Sequence, residues 1–163
     1  EFIHNLRKDE LEAREQIERM MEAVSKMKRR LRQSNLPGIP NFILTMLDDA
    51  AQKNERVLNV LEKKPLDILE VQKALNEAQV AVDDALNKTS TLIDQARLTE
   101  QVIQYGNRYR SRDPILAAKL LEAEQFFHQS EYELALEQAA SAVEEVEPGA
   151  LKKIEKIYES IPS

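Results

Sequence analysis

The chain has 163 residues, 32% of them charged and only 5% aromatic, with three Gly, six Pro, no Cys and a net charge of −6 at pH 7. This is the composition of a helical bundle with a thin Leu/Ile/Val/Ala seam, and it leaves little for a β-rich fold. The acidic balance excludes general nucleic-acid binding, which needs a basic surface to displace counterions. No apolar run approaches the ~18 residues of a membrane span, and the lack of Cys removes disulfide and thiolate chemistry. The chain therefore reads as a soluble, all-α piece.

Helix 1 is predicted from about Ile3 to Gln33, with Ile3, Leu6, Ala13, Ile17, Met20, Val24, Met27 and Leu31 on a heptad seam that only Glu10 interrupts. Neither an initiating Met nor a convincing N-cap precedes it, so its start reads as a cut into a longer helix. Lys26, Lys28, Arg29, Arg30 and Arg32 crowd its last turns. Two readings of that island are open: cations complementing the helix dipole, or a surface for an acidic lipid or protein. Ser34–Pro40 stops the helix with two prolines and a glycine. Helix 2 starts near Asn41 and carries Ile43, Leu47, Ala50, Asn54, Val57 and Leu61 inward, with Asn54 as a polar register-setting residue. Lys63–Asp67 is the next break, with Asp67 the expected N-cap of helix 3.

Helix 3 carries the strongest signal. Ile68, Val71, Leu75, Ala78, Val82, Ala85, Thr89, Leu92, Ala96, Thr99 and Ile103 recur in unbroken 3-4 alternation, the seam of a rod roughly 54 Å long. Helix 2, about 22 residues long, is too short to cover neighbours of roughly 31 and 37 residues. Folding back and forth leaves overhangs at residues 1–12 and about 88–104. The first would fray or pair with a second molecule. The second would find partners in helix 4 (about Pro114 to Gln129, capped by Asp113) and helix 5 (about Glu131 to Val146). A Pro148-Gly149 break and a short amphipathic helix with Leu151, Ile154, Tyr158 and Ile161 follow. The expected architecture is elongated: antiparallel three-helix repeats over 1–87 and 88–163 sharing helix 3.

Catalytic patterns are missing. His4 and His128 are 124 residues apart and fit no metal-ligand pattern, and the glycines at 38, 106 and 149 form no phosphate loop. No nucleophile elbow or kinase signature occurs, so neither an enzyme nor a cofactor is expected. What stands out is Gln104, Tyr105, Asn107, Arg108, Tyr109, Arg110 and Arg112, a basic and aromatic cluster with no acid until Asp113. Arg and Tyr dominate interface hot spots, and Gly106 is expected to end helix 3 and display the cluster at a turn. Two readings stay open here as well. The cluster binds protein, or its tyrosines pack the turn while its arginines pair with Glu122, Glu124 or Asp113. Phe126–Ala139 resembles the middle of a tetratricopeptide unit, which gives an alternative: a soluble adaptor with a peptide-binding hairpin. Stacks of that kind need about three hairpins, and the chain has one.

Thr99–Arg112 together with the Glu124–Gly149 hairpin resembles the C-terminal end of the EzrA family, the septation ring formation regulators of Gram-positive bacteria. The resemblance implies spectrin-like triple-helical repeats at the cytoplasmic face of the membrane and the division septum. It also implies a parent protein held by an N-terminal transmembrane anchor that this chain does not contain. The implied role is non-enzymatic: control of assembly of the tubulin-like division protein FtsZ, and scaffolding of division proteins at mid-cell. A Gln-Asn-Arg patch tied to mid-cell recruitment in that family maps onto Gln104, Asn107 and Arg108.

Overall fold

A computed structural model of the chain describes residues 2–159, with side chains from Leu6 onward. These residues form six α-helices and no strand: α1 (Phe2–Gln33), α2 (Asn41–Glu62), α3 (Ile68–Arg110), α4 (Pro114–His128), α5 (Tyr132–Val146) and α6 (Ala150–Glu159). The all-α expectation holds. Two compact units arise, one from residues 1–34 and 41–89, the other from residues 35–40 and 90–163.

The first unit is a three-helix arrangement built on the heptad seams. Ala13, Ile17, Met20 and Val24 of α1 are buried, as are Ile43, Leu47, Ala50 and Val57 of α2 and Val71, Leu75, Ala78, Val82 and Ala85 of α3. Strand-free cores of this kind are held by apolar burial, about 25 cal/mol per Å² removed from water. Arg56 pairs with Glu77 and Lys63 with Glu70, so α2 and α3 run antiparallel. Asp67 caps α3 as expected, its Oδ1 accepting from the backbone N–H of Leu69 at 3.1 Å and of Glu70 at 3.3 Å. Asn54 is 2% exposed, and its Oδ1 has no hydrogen-bond partner among the described residues. Of the expected uncovered start, Glu1 and the side chains of residues 2–5 lie outside the described residues; beyond them Leu6 is half-buried and Leu11 exposed.

In the second unit the rest of α3 packs with α4, α5 and α6 around Val102, Leu116, Leu120, Ala139, Val143 and Ile154. Asp113 caps α4, accepting from Ile115 N–H at 3.1 Å and Leu116 N–H at 3.0 Å, with Pro114 at the first helical position. Tyr132 occupies the tetratricopeptide-like position, and its role here is internal. It is fully buried, its ring stands edge-on to Phe127, and its hydroxyl donates to the Gly38 carbonyl at 2.6 Å. The loop 35–40 is thereby tied to the start of α5.

One expectation is corrected. Gly106 does not end α3, which continues to Arg110, giving a helix of 43 residues and about 64 Å. Gly106 is buried, and a Cβ there would stand 3.0 Å from both Leu120 Cδ1 and Val143 Cγ2. The missing side chain lets α4 and α5 approach the α3 backbone, and that packing outweighs the ~1 kcal/mol by which glycine weakens a helix.

Two outcomes follow for stability. Gly106→Ala should lower the melting temperature despite its better helix propensity, because Leu120 and Val143 are fully buried and overpacking costs about 1–3 kcal/mol. Asn54→Leu should raise it, because an orphaned buried acceptor costs about 1–3 kcal/mol. Thermal unfolding followed by circular dichroism reads both.

Candidate functional site

The seven candidate residues lie on the last two turns of α3 and just beyond, and helical geometry sorts them into two faces. Gln104, Asn107, Arg108 and Arg112 are exposed; spacings of three and four place the first three on one outer stripe, and Arg112 follows in the turn just past the helix end. Tyr105, Tyr109 and Arg110 are half-buried and turned toward neighbouring helices.

Glu147, the residue that ends α5, organises the inner face. Tyr105 Oη donates to its Oε2 at 2.5 Å and Tyr109 Oη donates to its Oε1, so one carboxylate holds two tyrosines spaced one turn apart. Lys153 on α6 lies 3.5 Å from the same carboxylate, whose side chain is 20% exposed. Three residues upstream, Glu144 accepts from the backbone N–H groups of Gly149 at 2.9 Å and Leu151 at 2.8 Å, which caps α6. Gly149, at φ +88°, supplies the left-handed backbone the turn requires. The two carboxylates thus define the α5–α6 corner and fasten it to α3.

The arginines divide in the same way. Arg110 pairs with Glu124 of α4 at 2.6 Å and also donates to Asn107 Oδ1 at 3.2 Å. Arg108 lies over the Tyr105 ring, its guanidinium carbon 3.7 Å from the centroid. Arg112 donates to the Arg108 carbonyl at 3.3 Å. The packing reading therefore describes the tyrosines and Arg110, which fasten helices together, while Gln104, Asn107, Arg108 and Arg112 remain on the surface. Asp113 and Glu122, the other acids considered for the arginines, act elsewhere, as the α4 cap and as acceptor from Gln138. Sequence reasoning missed Glu147. The only available signal was an acid immediately before Pro148-Gly149, a common arrangement at a solvated turn.

The hydrogen bonds set the titration behaviour. Donation from Tyr105 and Tyr109 holds the Glu147 carboxyl below the usual carboxylate range, and burial opposes this only in part. The same bond to Glu147, then burial, raises both tyrosines above the ordinary value. Glu144 is lowered by the Gly149 and Leu151 amides. Among the described residues no group of three or more His, Cys, Asp or Glu is placed to hold a metal ion. No described helix is long and apolar enough to cross a membrane.

A lowered carboxylate contributes stability above its ordinary pKa of about 4.3 and loses it as pH falls through the folded value. A raised tyrosine contributes below about pH 10 and loses that contribution as pH rises through its folded value. The corner should therefore be firmest between those limits. In Glu147→Gln, tyrosinate absorbance should show Tyr105 and Tyr109 ionising at lower pH than in the parent chain, and acid unfolding should lose part of its steepness.

A family model for the septation ring formation regulator EzrA matches residues 1–158. Among curated relatives, the septation ring formation regulator EzrA of Oceanobacillus iheyensis is 56% identical over 126 residues, covering 77% of this chain and 22% of that protein. That of Geobacillus kaustophilus is 44% identical over 147 residues, covering 90% and 26%, and that of Listeria welshimeri 40% over 161 residues, covering 98% and 28%. No solved structure matches. The chain spans about a quarter of the length of these relatives. With the match running through every described helix, including the stripe on α3 and the carboxylate-pinned corner that supports it, the chain belongs to the EzrA family.

Proposed function

We propose that this chain is part of a cell-division regulator that acts by binding protein, without catalysis, at the cytoplasmic face of the membrane and the division septum. Its partners in this reading are FtsZ and other division proteins, whose ring assembly the membrane-anchored parent protein restrains or scaffolds. Its contact surface is the outer stripe of Gln104, Asn107 and Arg108, with Arg112 just past it. The two units are, in the same reading, successive triple-helical repeats.

The observation that carries this reading is the division of labour on α3. Tyr105, Tyr109 and Arg110 are fastened to Glu147 and Glu124, whereas the four outer residues extend no core and close no corner. A planar guanidinium already stacked on a ring is ordered before binding, so less conformational freedom is lost when a partner arrives. The relatives are named as septation ring formation regulators, which supplies the class of partner.

The two faces should respond differently to substitution. Gln104→Ala combined with Arg112→Glu should change stability by no more than about 0.5 kcal/mol, yet reduce capture of FtsZ and other division proteins about tenfold or more. Arg110→Glu should lower the melting temperature, because it sets a carboxylate against Glu124. Pull-down and thermal melting on the same preparations check both. Undiminished capture by the outer-stripe variant, together with normal mid-cell localisation, would remove this reading.

A further inference from the structure

The first unit carries a cationic groove that the α3 stripe does not account for. There α1 and α3 run parallel: Gln16 Nε2 donates to Gln79 Oε1 at 3.4 Å, and a surface groove of about 400 Å³ between them is lined by Met20, Ala23, Val82 and Leu86, with one cation, Arg19, and one acid, Asp83. A second groove of about 570 Å³ shares Ala23 and Leu86 and continues along Lys26, Met27, Arg29, Arg30 and Gln33. Its floor is apolar (Ala23, Met27, Leu86), its rim holds three cations, and no acid lines it. Together the grooves follow α1 from Gln16 to Gln33, about 26 Å or nearly five helical turns.

The cations exceed what the helix end requires. The dipole effect fades within the last turn, where Arg30 and Arg32 already stand, while Lys26, Lys28 and Arg29 lie further back. Arg29 is bonded to Glu22 at 3.0 Å across an exposed surface, an arrangement worth little that a better-placed carboxylate can replace. In a chain of net charge −6, five cations within Lys26–Arg32 form a patch opposite in sign to the whole.

We propose that this groove receives an acidic amphipathic helix of a partner protein, antiparallel to α1, with the carboxylates of its first turns over Lys26 and Arg29. An apolar floor below a charged rim is the surface that recognises one face of a helix. A flat lipid surface would meet the rim and leave Ala23, Met27 and Leu86 unfilled. The direction follows from electrostatics. Acids favour a helix's N-terminal turns, and only an antiparallel occupant brings those turns to the C-terminal end of α1. This proposal does not depend on the α3 stripe.

The test uses a fluorescein-labelled synthetic peptide with Leu on a heptad seam and Asp and Glu in its first two turns, and a second peptide with those acids changed to Lys. Anisotropy should show the full chain binding the first and not the second. Lys26→Glu with Arg29→Glu should weaken binding about tenfold, and added salt should do the same. Lys73→Glu, on an exposed part of α3 outside both grooves, should leave binding within about twofold. Circular dichroism melts would establish that each variant is folded. No binding of the acidic peptide, or an equal loss with Lys73→Glu, would overturn the proposal. So would failure of the peptide alongside groove-dependent binding to phosphatidylglycerol vesicles, or alongside groove-dependent dimerisation of the chain.

Discussion

The second unit depends on one carboxylate. Glu147 stands at the end of α5, where the chain must turn through Pro148 and Gly149, and it accepts from two tyrosines on α3 while Lys153 of α6 approaches from the other side. Three helices therefore meet at a single charged group. A carboxylate has lone pairs for several donors, and charge-assisted hydrogen bonds are roughly twice as strong as neutral ones. The arrangement fixes α3 in rotation as well as in position. With Tyr105 and Tyr109 turned to Glu147, Gln104 and Asn107 stay exposed, and Arg108 lies over the outer side of the Tyr105 ring.

Closeness does for this unit what bulk does for others. Its centre is lined by Ala123, Ala135, Ala139 and Ala142 and by the bare backbone at Gly106. Small residues bring helix axes together, so dispersion and shape complementarity replace large side-chain volume. Such an interior tolerates an addition at Gly106 poorly, because the side chains it would meet, Leu120 and Val143, are themselves fully buried. It also suits a helix whose other half serves a different set of partners, since a narrow seam of small residues can be covered by any helix that fits it.

Much of this was legible in the residues, and what was not fails for one reason. On the α3 seam, Val71 through Thr99 are all buried as the 3-4 alternation requires, with Ile68 and Ile103 half-buried at its ends. Asp67 and Asp113 cap the helices they precede, because a cap bonds to amides two and three residues away and is a local matter. Gly106 was misread because the helix-breaking rule is local too, whereas its contacts are Leu120 and Val143 on other helices. Glu147 could not be foreseen for the same reason: its tyrosines lie 42 and 38 residues upstream. Within the candidate cluster, residue type pointed to packing tyrosines and pairing arginines, but only the fold shows which residues stay exposed and which acids hold the others.

The tie between Tyr132 and Gly38 also bears on the order of synthesis. Gly38 leaves the ribosome 94 residues before the hydroxyl that holds its carbonyl. At elongation rates of about 5–20 residues per second, that delay is roughly 5–20 s. For that interval the Gly38 carbonyl is without the hydroxyl that holds it in the folded chain. The clasp on the 35–40 loop can therefore close only after the α4–α5 turn has been made.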